Sequence, residues 1–234
     1  MKQIDITRIE NGQRRQMKDY IIREVSLRLV INGQEPILLP CSGWHMNELV
    51  TGYLYTNGYI HAPGDIRSLD YDMQHQTAHV SLEKKAPLLD EPGKADALNI
   101  PASSILRWME EFSGLSEVFR KTGAVHTAAI ANKNGILKHF EDISRHNTLE
   151  MLIGWSLLQN QPLQDKCLLL SCRISRSIIN KAVVAGFPMI VSTSPPTDQA
   201  LDIAREHDIA LAGFVRGSKM NVYCGGGLDD WGIG

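Results

Sequence analysis

Between residues 20 and 39 the chain sets Val25, Leu27, Leu29 and Ile31 at every second position against polar neighbours, turns at Asn32-Gly33, and resumes with Ile37 and Leu38. Alternation around an Asn-Gly pair predicts a β-hairpin. From Trp44 to Tyr59 the period changes. Met46, Leu49, Val50, Tyr53 and Leu54 fall at helical spacing, with Asn57-Gly58 beyond them as a stop. Segments 66–73 and 77–83 alternate again and read as two further strands. The stretch KKAPLLDEPGKADALNIP then carries three prolines and no periodicity, so a loop or linker is expected there.

After Pro101 helices and buried strands take turns. Ile105, Met109, Phe112 and Phe119 line one face behind Ser103 or Ser104 as N-cap, with Gly123 past the end. The last third runs CLLLS, a helix over about 175–185 stopped by Gly186 and Pro188, MIVSTS, a helix over about 197–207, and IALAGFV. Successive β-α-β units predict a parallel sheet. The expected division is a β-rich portion, residues 1–100, followed by an α/β domain, residues 101–234. No internal repeat or low-complexity tract interrupts either part.

Composition narrows the class. With 234 residues, 43% of them hydrophobic, the chain can bury a substantial core. Its 24 basic and 26 acidic residues nearly cancel, and no block of like charge supplies an electrostatic footprint for nucleic acid. The N-terminal sequence has no apolar signal-like region, and no apolar stretch approaches the length of a membrane span, so a cytoplasmic protein is expected. Cysteines at 41, 167, 172 and 224 form neither a C-x-x-C pair nor a zinc-finger spacing, which predicts free thiols.

In a parallel sheet, ligands bind beyond the carboxyl ends of the strands, where helix N-termini present free N–H groups. Three loops occupy that edge: Ser171 to Ser175, Ser194 to Thr197, and Arg216 to Lys219. Two of them carry Arg or Lys beside small hydroxyl residues, a mixture suited to phosphate or pyrophosphate. Taken singly, each loop also has a plain structural reading, with Ser175 and Thr197 as N-caps and Arg173 and Arg216 exposed.

A fourth stretch, FEDISRHNTL, crowds Glu141, Asp142, Arg145, His146 and Asn147 in front of an apolar helix. Asn147 as N-cap, with Glu150 reaching back in a capping box, accounts for part of it. Asp142, Arg145 and His146 are then expected to line the same cleft as Arg173 and His126. In that placement Arg145 anchors an anion, and Asp142 orients Arg145 or His146 through a charge-assisted hydrogen bond. The structural alternative pairs Asp142 with Arg145 to pin the loop. As metal ligands, His139, Asp142 and His146 lack the spacing of a zinc site, and none is assigned.

These stretches, in this order, resemble the formate dehydrogenase accessory protein family (FdhD/NarQ), sulfur carriers for the molybdenum cofactor. VINGQEPILLP and ELVTGYLYTNGYI match its early strand, Asn-Gly turn and helix. Thr122 to His126 match a T-G-G-x-H stretch, Glu141 to Thr148 an E-D-x-G-R-H-N-A stretch, and Ser171 to Ser175 an S-G-R-x-S stretch. Ser194 to Thr197 and Gly213 to Tyr223 match the S-A-P-T and G-F-x-R…N-V-Y stretches. The resemblance implies a cytidine-deaminase-like three-layer α/β domain with an N-terminal β-rich portion, usually a homodimer, binding molybdenum bis(molybdopterin guanine dinucleotide). It further implies a cysteine desulfurase and formate dehydrogenase as partners. On this reading Phe214, Val215, Arg216, Gly217, Ser218, Lys219, Arg173, Ser175 and Thr197 contact the cofactor, together with His126, Asp142, Arg145 and His146.

The chain departs from that pattern where sulfur is carried. Sulfur-carrying members hold a C-x-x-C in the loop before the T-G-G-x-H stretch, and residues 88–101 contain no cysteine. Cys172, beside Arg173 and a helix N-terminus that would lower a thiol pKa, is the one candidate for persulfide chemistry. The alternative is that Cys172 simply fills a glycine position of the motif. A guanine-dinucleotide chaperone of the same fold is therefore weighed beside a sulfurtransferase. Deamination is excluded, because His126 is followed by Thr127-Ala128 rather than x-E, and no C-x-x-C exists. The Gly-rich tail YCGGGLDDWGIG is expected to be mobile.

Overall fold

A computed structural model describes residues 1–83, 98 and 100–225. The cysteine-free loop, apart from its last residues, and the Gly-rich tail beyond residue 225 lie outside the described residues. The chain opens with a hairpin that the sequence reading had missed, β1 (Lys2–Glu10) and β2 (Gln13–Ile21), joined at Asn11-Gly12. Both turn residues have positive φ, the geometry of a tight two-residue connection. Residues 20 and 21 thus belong to β2, and the second hairpin starts later, as β3 (Val25–Ile31) and β4 (Ile37–Cys41). Helix α1 (Met46–Thr56) follows, then β5 (Ile66–Asp72) and β6 (Thr77–Leu82). Strand β6 pairs in parallel with β3, closing a four-stranded sheet in the order β4-β3-β6-β5.

Past the linker, one expected helix is two. Helix α2 (Ala102–Leu115), with Pro101 as its N-cap residue rather than a serine, gives way to α3 (Glu117–Thr122), capped by Ser116, whose Oγ accepts from Phe119 N. The break leaves Phe119 54% exposed, outside the core that buries Ile105, Met109 and Phe112. Next come β7 (His126–Asn132), β8 (Gly135–Asp142), α4 (Arg145–Leu158), β9 (Cys167–Leu170), α5 (Arg176–Ala185), β10 (Met189–Ser192), α6 (Asp198–Glu206), β11 (Ala210–Arg216) and β12 (Lys219–Cys224).

These strands form one sheet in the order β12-β11-β10-β9-β7-β8. Only β9, β10 and β11 run parallel, as the β-α-β reading requires; β7, β8 and β12 are antiparallel to their neighbours. Each strand divides its side chains between two cores, because successive residues point to opposite faces. Ala129, Ala131, Cys167, Leu169, Met189 and Val191 pack under α2 with Trp108 and Phe112. Ala128, Ile130, Leu168, Leu170, Ile190 and Leu211 face the other way, toward the helices that carry Leu152, Ile179 and Ala204. The result is three layers, with α2 on one side of the sheet and α4, α5 and α6 on the other.

That second core runs on without a break into the N-terminal sheet, through Leu49, Leu54, Leu27 and Leu29. The contact is made by α1 against α4, and it is very close. A Cβ on Gly52 would lie 1.8 Å from Glu150 O, and one on Gly154 would lie 1.9 Å from Glu48 O. Only glycines let the two backbones touch. The crossing therefore fixes where α4 begins, and with it where Arg145 and His146 stand.

Candidate functional site

The residues at the start of α4 are tied to a segment a hundred positions earlier. Asp142 is fully buried, and its carboxylate accepts from Ser42 N (2.8 Å), Ser144 N (2.9 Å) and Asn147 Nδ2 (2.8 Å). Asn147 Nδ2 also donates to Pro40 O at 2.8 Å, and Ile143 N to Ser42 Oγ at 3.3 Å. Burial raises the Asp142 pKa, and the hydrogen bonds from Ser42, Ser144 and Asn147 pull against that rise.

This geometry corrects three expectations. Asn147 does not cap α4. The N-cap is Ser144, whose Oγ accepts from His146 N, and Asn147 is drawn inward by Asp142 and Pro40. Asp142 orients neither Arg145 nor His146, and it does not pair with Arg145; its acceptors are filled by Ser42, Ser144 and Asn147. Glu150 makes no capping box, because Lys181 of α5 donates to its Oε1 and Thr56 Oγ1 approaches the same atom at 3.4 Å.

Freed from the loop's own bonding, Arg145 and His146 line a pocket of about 540 Å³ with His126, Tyr53, Glu150 and Lys181. Burial, then the charges of Lys181 and Arg145 and the neighbouring His126, hold the His146 pKa down to about 4. His126 is lowered by burial and by Arg145. Both imidazoles are thus neutral near pH 7. The trio His139, Asp142 and His146 does not assemble into a metal centre, and no group of three or more candidate ligands occurs among the described residues.

A larger cleft of about 1270 Å³ adjoins this pocket, sharing His126 and Ile143 with it. It opens at the carboxyl ends of β9, β10 and β11, through Ser171, Thr193, Ser194, Val215, Arg216, Gly217 and Ser218. Its opposite wall is the face of α2 and α3 bearing Leu106, Met109, Phe112 and Phe119. This wall was legible in the sequence only as core. Two edge loops are locked together, since Ile174 N donates to Pro195 O and Thr197 N to Ile174 O, and the first is tied to β7 by Ser171 N donating to Thr127 O. In the third, β11 slips register between Gly213 and Arg216, and Phe214 adopts a φ of +53°, a conformation that bulky side chains rarely take. The slip turns Phe214 outward at 46% exposure while Val215 to Ser218 enter the cleft.

The expected residues are therefore distributed unevenly. Val215, Arg216, Gly217, Ser218 and His126 line the larger cleft, and Arg145 and His146 the smaller pocket. Arg173, Ser175, Thr197, Phe214 and Lys219 stand outside both linings, and Asp142 lies beneath them. Thr197 acts as a cap, accepting from Ala200 N, whereas Ser175 makes no cap bond and instead meets Ser177 Oγ at 3.1 Å. Lys181, which the local sequence gave no reason to single out, enters from α5.

At Cys172 burial outweighs the neighbours that were expected to lower its pKa. Its thiol is buried, and burial pushes its pKa up to about 11 although Arg145 and Arg173 both pull it down. Ser192 Oγ lies 2.6 Å from its carbonyl, fixing the residue in the wall of the sheet. Cys41, Cys167 and Cys224 are likewise raised by burial, and all four cysteines are free.

The profile of the FdhD/NarQ family matches residues 22–94 and 86–227. The chain belongs to the FdhD/NarQ family. Among FdhD/NarQ proteins it is similar to the sulfur carrier protein FdhD of Bacillus pumilus, at 32% identity over 93% of each chain. It is also similar to that of Staphylococcus haemolyticus, at 33% identity over 93% of this chain and 92% of the relative. In fold it resembles the crystal structure of a candidate formate dehydrogenase accessory protein from Desulfotalea psychrophila, with a TM-score of 0.83 and 21% identity over 96% and 97% of the two chains. The α/β architecture thus matches that neighbour nearly end to end. No helix among the described residues is long and apolar enough to cross a membrane.

Proposed function

We propose that this FdhD/NarQ protein is a cytoplasmic accessory protein for a molybdenum enzyme of the formate dehydrogenase type, and that it binds molybdenum bis(molybdopterin guanine dinucleotide) by the guanine dinucleotide in the larger cleft. The supporting observation is the placement of Arg216-Gly217-Ser218 at the carboxyl ends of three parallel strands, opposite an apolar wall from α2 and α3. A ring system can lie on Leu106, Met109 and Phe112 while the pyrophosphate meets Arg216. Gly217, with φ of +55° and open space where a Cβ would sit, allows a phosphate to approach the backbone.

Relatives are named sulfur carriers, but the thiols of this chain favour the second reading, a cofactor chaperone that does not carry sulfur. A persulfide carrier needs an accessible thiol with a depressed pKa. Here every thiol is raised, and residues 88–101, where relatives of the sulfur-carrying type hold C-x-x-C, contain no cysteine. Formate dehydrogenase, a cysteine desulfurase and a second copy of the chain are the partners this reading carries over from the family.

Two measurements test the reading. Calorimetric titration with GDP checks the cleft, and binding is expected in the wild type. Mass spectrometry after incubation with a cysteine desulfurase and cysteine checks sulfur carriage. An unchanged mass is expected, and an added sulfur atom would restore the carrier reading, with Cys172→Ala deciding whether that residue holds it.

A further inference from the structure

The smaller pocket has a composition that the dinucleotide reading does not require. Arg145 from α4, Lys181 from α5 and His126 from β7 converge on it from three separate elements, with His146 among them. Arg145 Nε is buried and has no hydrogen-bond partner. Lys181 is anchored from behind by Glu150, whose side chain is 2% exposed, and it lies 6.0 Å from the Tyr53 ring centroid. An ammonium has three donors, and a single carboxylate oxygen does not exhaust them. A desolvated, unpaired guanidinium N–H beside an ammonium is costly unless an anion fills the space.

We propose that this pocket is an oxyanion subsite, receiving a phosphoryl-type group between Arg145 and Lys181. The Gly52–Gly154 crossing and the Asp142 clamp position it, because together they set the first turn of α4. His146 supplies a second property. Facing it are Arg145 and Glu150 on its own helix, Lys181 on α5, His126 on β7 and Tyr53 on α1. Without an anion, the cations and burial keep the imidazole neutral. A bound dianion reverses the local field, so His146 takes up a proton as the pocket fills, and the affinity for a dianion of fixed charge rises as pH falls. The subsite rests on the cofactor reading only for the origin of the phosphoryl group, which belongs either to the dinucleotide reaching past His126 or to a free oxyanion.

The test is calorimetric titration of inorganic phosphate into the full chain at low salt, with and without saturating GDP. Wild type is expected to bind phosphate, and Arg145→Ala to weaken it by about tenfold or more, the effect of losing a charged hydrogen bond. Arg145→Lys, which keeps the charge and the fold but not the fork, should recover part of the loss. Below neutral pH the heat of binding sulfate, a dianion that does not itself titrate there, should vary with the ionisation heat of the buffer in wild type and not in His146→Gln. Exclusion of phosphate by GDP would assign the phosphoryl group to the nucleotide; binding beside GDP would assign it to a separate ion. Absent phosphate binding, or equal binding in wild type and Arg145→Ala, overturns the subsite. Buffer-independent heat overturns the role of His146. Should GDP fail to bind while phosphate binding still depends on Arg145, the cofactor reading falls and the subsite stands.

Discussion

Residues 141–150 and residues 213–219 are both dense in charged and small polar side chains, and both lie where a strand meets the open edge of the same sheet. In the first, Asp142, Asn147 and Glu150 are buried, and their hydrogen bonds run to Ser42, Pro40, Thr56 and Lys181 in other elements. In the second, Arg216, Gly217, Ser218 and Lys219 stand in solvent, on a strand that has slipped register at Phe214. Polarity alone does not locate a binding site. What separates the two stretches is whether the donors are already occupied, and within the first the side-chain donors of Arg145 and His146 are left over, along with the acceptor Glu141 Oε2.

The contrast can be broken most forcefully at the crossing that holds the first stretch in place. Gly154→Ala inserts a methyl group into the backbone of α1, and Glu48 O can retreat only if the helices part. A loss of about 3 kcal/mol or more is expected, read as a fall in denaturant midpoint. Asp142→Ala comes next. It strips acceptors from the buried amides of Ser42 and Ser144, at a cost on the order of 3 kcal/mol, or roughly 6–12 °C in Tm for a chain of this size. An unchanged Tm would mean that the clamp is not a structural element.

How far these roles could be seen in the sequence follows from how local their causes are. The runs CLLL and MIVS, with Gly186 stopping the helix between them, announce buried parallel strands from composition and punctuation alone. Strands β1 and β2 escaped notice although Asn11-Gly12 carries the same turn signal as Asn32-Gly33. Ile4 and Ile6 alternate there, but nearly every partner is exposed and polar, so no buried face marks the pattern. Asn147 was read as a cap because Glu150 follows at capping-box spacing. The partners that claim both residues, Asp142, Pro40 and Lys181, are set by tertiary packing. The direction of the Cys172 pKa was hidden for the same reason, since Arg173 is adjacent in sequence whereas the burial that dominates its pKa comes from the fold.

On the solvent side of the contrast the expected effects on stability are smaller. Arg216→Ala should leave Tm nearly unchanged and weaken GDP binding by about 1.5–3 kcal/mol. The slightest effect concerns pH. His146 has its folded pKa at about 4, below the ordinary 6.5, so the unfolded chain binds more protons between these values. Stability is therefore expected to fall as pH drops through that window, and Tm measured across it should decline less steeply in His146→Gln.

The central claim, that one stretch holds the fold while the other waits for a ligand, is tested most directly by measuring Tm and GDP affinity together on wild type, Asp142→Ala and Arg216→Ala. The account predicts that Asp142→Ala lowers Tm and that Arg216→Ala lowers GDP affinity at an undiminished Tm. GDP binding equally tightly to wild type and Arg216→Ala would contradict it.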